Sequence, residues 1–113
     1  MPKILLAEDD ETMGSLLKTL LTMEGFDVVG LDPNADVPAA VERENPAALF
    51  MDVHLGGQSG MEILEAIRKN SEMADVRVIM TSGSDTREEC IRRGANAFLL
   101  KPFMPDDLLN LLK

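Results

Sequence analysis

Four short apolar runs in this sequence each end on polar side chains. Ile4 to Ala7 runs into Glu8, Asp9 and Asp10, and Ala48 to Met51 runs into Asp52. Val76 to Met80 is followed by Thr81, Ser82 and Gly83, and Ala97 to Leu100 by Lys101 and Pro102. Acids, a hydroxyl and an ammonium are the groups that hold a divalent cation and a phosphoryl group. Carboxylates brought to about 5 Å repel by about 3 kcal/mol per pair at an effective dielectric of about 20. One lysine cannot offset that among Glu8, Asp9 and Asp52, but a divalent cation can. Oxygen-only donors point to Mg²⁺ or Mn²⁺, and a chain with one cysteine and one histidine is a poor zinc ligand set. The metal and Lys101 would neutralise phosphoryl oxygens, and Thr81 would donate a hydrogen bond to another. Asp52 would be the nucleophile that forms an acyl phosphate. All of this requires the four run ends to meet.

The elements that would bring them together show in the periodicity. A fifth apolar run, Phe26 to Gly30, joins the four, and helix-period segments alternate with them. The first helix carries Met13, Leu16, Leu17, Leu20 and Leu21 as one stripe, with Thr12 as N-cap and Gly25 as its stop. The second spans about Val37 to Arg43, with Pro38 in its first turn and Pro46 just beyond. The third holds Met61, Ile63, Leu64 and Ile67. The fourth covers roughly Thr86 to Arg93 and stops at Gly94. The last follows Pro105 and carries Leu108, Leu109, Leu111 and Leu112.

Continuous apolar strands alternating with helices predict an α/β fold, a parallel sheet covered on both faces. Right-handed crossovers and five strands suit the flavodoxin-like (βα)5 doubly wound sheet, strand order 2-1-3-4-5. Ligands of such sheets sit beyond the carboxyl ends of the strands, at the switch point between strands 1 and 3. Glu8 and Asp52 end those two strands. Three glycines after Asp52 (Gly56, Gly57 and Gly60) would let the loop come close to metal and phosphate.

The totals remove other function classes. Eleven basic against twenty acidic residues give a net charge of −9, which argues against a nucleic-acid surface. No apolar run approaches the roughly 20 residues of a membrane span, and "MPKILLAEDD" lacks the pattern of a signal peptide. The single cysteine, Cys90, excludes an internal disulfide and fits a reducing cytoplasm. It reads as a buried core residue, and the eight methionines, in a chain without Trp or Tyr, read as core filler.

In order along the chain, "ILLAEDD", "LFMDVHLGGQSGMEIL", "VIMTSGS" and "GANAFLLKPF" resemble the receiver domain of bacterial two-component response regulators. The four segments span nearly the whole chain. The resemblance implies a single receiver domain over residues 1–113, with no output domain in this chain. It implies that Asp52 accepts a phosphoryl group from a phosphohistidine on a sensor histidine kinase or phosphotransfer protein. Glu8, Asp9, Asp52 and the backbone carbonyl of His54 would hold Mg²⁺, and Lys101 would contact the phosphate. Thr81 would move toward the phosphoryl oxygen, and Phe98 would turn inward into the space vacated. The face made by the fourth helix, fifth strand and fifth helix would then report to a downstream protein or output domain. The same face is a candidate for homodimer contact.

Two positions depart from that pattern. Many receivers have proline where this chain has Gly56, and Phe98 lacks the hydroxyl of a tyrosine. Asp10 is expected at the surface or the start of a helix. His54 is either an exposed loop side chain or a neighbour of the phosphate that tunes its hydrolysis. The rival is a Mg²⁺-dependent phosphatase of the haloacid-dehalogenase type. Such an enzyme wants an acid two residues after its nucleophile, where this chain has His54. A receiver that binds partners without phosphorylation is disfavoured by the intact set Glu8, Asp9, Asp52, Thr81 and Lys101.

Overall fold

All five apolar runs become strands. The computed structural model describes residues 1–113. In chain order the elements are β1 (Lys3–Ala7), α1 (Glu11–Met23), β2 (Asp27–Gly30), α2 (Val37–Glu44), β3 (Ala48–Asp52), β4 (His54–Leu55), β5 (Gln58–Ser59), α3 (Gly60–Lys69), β6 (Arg77–Ser82), α4 (Arg87–Arg92), β7 (Ala97–Leu100) and α5 (Pro105–Leu112). Five strands form one parallel sheet in the order β2-β1-β3-β6-β7. This is the expected 2-1-3-4-5 order, because β4 and β5 form a separate antiparallel hairpin between β3 and α3.

Alternation along each strand divides the core between two faces. Leu5, Ala7, Leu49, Met51, Val78, Met80 and Phe98 pack with residues of α2 and α3 and with Cys90 of α4. Ile4, Leu6, Phe50 and Ile79 pack on the other face with Leu17 and Leu21 of α1, Leu108 and Leu109 of α5, and Phe103. Met61, Ile63, Leu64 and Ile67 of α3 are all buried, as their spacing predicts.

Local chemistry moves one boundary. The N-cap of α1 is Asp10, not Thr12: Asp10 Oδ1 accepts the backbone N–H groups of Thr12 and Met13 at 2.9 and 3.1 Å. A carboxylate satisfies two of the free amides at the helix start and complements its dipole, so the helix begins earlier. The apolar stripe of α1 is also narrower than its spacing suggests. Leu17 and Leu21 are buried, Met13 and Leu20 lie at the margin, and Leu16 is 46% exposed. Helix α4 lies where expected, Arg87–Arg92 between the caps Thr86 and Arg93, with Cys90 as its buried residue.

Helix α2 starts at Asp36, whose side chain accepts the Ala39 N–H at 3.1 Å. It ends on Asn45 in the left-handed conformation, φ 46° and ψ 57°. A Cβ-bearing residue without the asparagine amide is strained there. Asn45→Ala is expected to lower stability by about 1 kcal/mol, and Asn45→Gly not at all, in urea denaturation.

Candidate functional site

The register places three of the expected groups in one row. Ala7 pairs with Met51 and Met51 with Met80. One step further, Asp52 pairs with Thr81, and Glu8 follows Ala7 on the neighbouring strand. These residues stand at the carboxyl edge where β1, β3 and β6 lie side by side. Lys101 follows β7 directly and reaches back across the edge.

Lys101 Nζ donates to Asp52 Oδ2 at 2.7 Å and to Glu8 Oε1 at 2.8 Å. Asp52 is 5% exposed and Glu8 6%. The other Asp52 oxygen, Oδ1, accepts the backbone N–H of His54 at 2.9 Å. Glu8 Oε1 also accepts the Asp10 N–H at 3.1 Å, while Glu8 Oε2 is buried with no hydrogen-bond partner. Burial pushes the Glu8 carboxyl above its ordinary pKa, against the opposing pull of Lys101 and the Asp10 amide. Burial would lower the Lys101 ammonium, yet its hydrogen bonds to Asp52 and Glu8 outweigh that and raise it. Two acids therefore share one cation that stays protonated at neutral pH.

Asp9 makes no hydrogen bond or ion pair with this group. It is exposed, and its Oδ1 accepts the N–H of Gly56, in the loop that follows Asp52, at 3.1 Å. The expected crowding of three carboxylates is thus a contact of two with one lysine. No three acid, imidazole or thiol groups are gathered around one point. The donor set nonetheless suits a hard divalent cation. Glu8 Oε2 is an orphaned buried oxygen, carboxylates cluster at the ends of β1 and β3, and no thiol is near. A cleft of about 470 Å³ opens beside Glu8, between α1 and the segment after β2.

The remaining residues take up defined positions. Thr81 is fully buried and its Oγ1 donates to the Leu99 carbonyl at 2.8 Å. The Phe98 ring lies inside the α3 and α4 face, 2% exposed, with the Arg87 guanidinium 5.5 Å from its centroid. It is therefore already inward before any movement of Thr81. The His54 side chain is exposed, so what reaches Asp52 from this residue is its main chain. The Lys101–Pro102 peptide bond is cis.

Two features of the site escaped the sequence reading. One is the β4–β5 hairpin, whose tip is Gly56-Gly57 with Gly56 at φ 58°. Proline, fixed near φ −65°, cannot take that conformation, so the departure at Gly56 belongs with the hairpin. A Gly-Gly pair between Leu55 and Gln58 was the available signal. The other is the reason for Gly60. It is a close approach to the end of β3, where an added Cβ would lie 2.3 Å from the Asp52 carbonyl oxygen.

Known proteins resemble this chain in sequence and in fold. A family model described as the response regulator receiver domain matches residues 4–113. The transcriptional regulatory protein GltR of Pseudomonas aeruginosa is 34% identical over 113 residues, covering 97% of this chain and 47% of GltR. The phosphate regulon transcriptional regulatory protein PhoB of Rhizobium meliloti is 29% identical over 116 residues, covering 100% of this chain and 51% of PhoB. The chain thus spans about half the length of these relatives. The receiver domain of the sensor histidine kinase PA1611 of Pseudomonas aeruginosa, solved with magnesium in its active site cleft, superposes with a TM-score of 0.86. It is 25% identical, with 98% of this chain and 93% of that chain covered. The BeF3-activated receiver domain of Klebsiella pneumoniae RstA gives a TM-score of 0.86 at 26% identity, covering 97% and 94%.

Proposed function

This chain belongs to the response regulator receiver domain family, and on that premise we propose that Asp52 accepts a phosphoryl group. The observation that carries the reading is the state of the Asp52 carboxylate. It is buried at a strand end, held on one oxygen by the His54 N–H and on the other by Lys101. An Asp52 oxygen attacks phosphorus as the bond from phosphorus to the donor breaks, leaving an acyl phosphate on Asp52. The donor is a phosphohistidine of a sensor histidine kinase or phosphotransfer protein, whose imidazole nitrogen is the leaving group. Lys101 neutralises phosphoryl oxygens. The Thr81 hydroxyl exchanges its bond to the Leu99 carbonyl for one to a phosphoryl oxygen. Glu8, Asp9, Asp52 and the backbone carbonyl of His54 would hold Mg²⁺ or Mn²⁺, which when bound supplies further charge neutralisation at the transferring group. Water later hydrolyses the acyl phosphate slowly, so no external substrate is turned over.

The phosphorylated state would be read on the face made by α4, β7 and α5. Ile91, Leu100 and Met104 are exposed there, at 44%, 44% and 69%. The partner is a downstream protein, an output domain or a second copy of this chain. No helix is long and apolar enough to cross a membrane, and the proposed place of action is the cytoplasm.

Intact mass after incubation with acetyl phosphate tests the central step. The expected result is a gain of one phosphoryl group that requires Mg²⁺ and is absent in Asp52→Asn. A gain that persists in Asp52→Asn would remove Asp52 from its role. Phosphate release from unrelated phosphomonoesters, without mass gain, would favour the phosphatase instead.

A further inference from the structure

Gln58 makes contacts far from its place in the chain. Its Nε2 donates to the carbonyls of Pro33 at 3.0 Å and Ala35 at 2.9 Å, across 25 and 23 residues. The segment it grips is closed on itself: Asp32 accepts the Asn34 N–H on its side chain at 2.8 Å and the Ala35 N–H on its carbonyl at 2.9 Å. Gly56 lies against the same segment, so that an added Cβ would come within 3.2 Å of the Pro33 oxygen. On its inner side the hairpin pairs Gln58 with Leu55 and Ser59 with His54. The His54 N–H is the donor that holds Asp52 Oδ1. An isolated two-stranded hairpin is marginal in water, so this one takes its position from its anchors.

From this chain of contacts we propose that Gln58 is a positioning residue for phosphoryl acceptance. The inference rests on the reading of Asp52 given above. Gln58 straps the hairpin to the segment after β2, the hairpin fixes the His54 main chain, and the His54 N–H sets the rotation of the Asp52 carboxylate. With Oδ1 held there, Oδ2 faces Lys101. A misplacement of about 1 Å at a reacting group can cost about 100-fold in rate. Gln58 acts through the hairpin and the His54 main chain rather than on Asp52, so its loss is expected to cost about tenfold.

Gln58→Met keeps the length of the side chain and removes both N–H donors. In metal-free protein, NMR hydrogen exchange at the His54 and Gly56 amides should speed up by about tenfold, with the amides of β1 and β3 unchanged. The rate of mass gain from acetyl phosphate and Mg²⁺ should fall about tenfold. Asn45→Ala, which loses stability far from the site, serves as the control and should leave both rates as in the unmodified chain. Unchanged exchange or an unchanged phosphorylation rate in Gln58→Met overturns the proposal, and so does an equal slowing in Asn45→Ala. A parent chain that takes up no phosphoryl group sinks the reading of Asp52 instead. Exchange at His54 then decides the strap alone, unchanged exchange again being the negative result.

Discussion

Lys101→Met is expected to lose about 2–3 kcal/mol of folding free energy at neutral pH and to recover part of it on acidification. Removing one partner of a fully buried ion pair costs about 3–5 kcal/mol. Lys101 is 26% exposed, so solvent screens part of that loss. What remains is two buried carboxylates without their shared ammonium. The Glu8 carboxyl, already raised by burial, loses the hydrogen bond that most restrains it and rises further. An acid with a raised folded pKa binds its proton more tightly when folded. Its stabilising contribution is full below the unfolded value and is lost as pH rises through the folded one. The gap between the variant and the parent chain should therefore be wider at pH 7.5 than at pH 5 in urea denaturation. An equal gap at both values would mean that Glu8 does not carry the effect. Phosphorylation of the variant should fall by about 100-fold or more, the usual cost of losing one charge-stabilising donor.

Gly60→Ala is expected to be the most damaging of the conservative substitutions. The new Cβ would meet the Asp52 carbonyl oxygen at 2.3 Å and the Val53 Cα at 3.0 Å. Both are backbone atoms, so no side chain can rotate aside. The first turn of α3 is tied to the same place by the Gly60 N–H to the Val53 carbonyl, at 2.7 Å. Overpacking costs about 1–3 kcal/mol, and a clash with backbone belongs at the upper end. At about 4–8 °C per kcal/mol for a domain near this size, the melting temperature should drop by about 12–24 °C. Gly57→Ala is the comparison, because nothing lies within 4 Å of its added Cβ. Similar thermal melts for the two variants would contradict the close-packing account of Gly60.

The sheet was legible because buried parallel strands write themselves as continuous apolar runs, and β7 matches its run residue for residue. Helix edges were less so. Thr12 and Asp10 are both good caps by type, and only the backbone decides which side chain reaches the free amides. Leu16 belongs to the stripe by spacing, but the surface α1 covers is too narrow to bury it. At the site, residue types identified which strand ends bring polar groups together. They could not say that Asp9 bonds Gly56 while Glu8 bonds Lys101, because those partners come from distant segments of the chain. Nor could they find Gln58, an ordinary loop polar residue whose two acceptors are main-chain carbonyls of another segment.

The contact between Lys101 and Glu8 joins residues 93 positions apart. On a ribosome adding about 5–20 residues per second, the strands that bear Glu8 and Asp52 emerge seconds before their counter-ion. Until Lys101 leaves the exit tunnel, those acids lack the ammonium that bonds them in the folded chain. The contacts that neutralise this edge of the sheet thus wait for the segment after β7, made well after both acids.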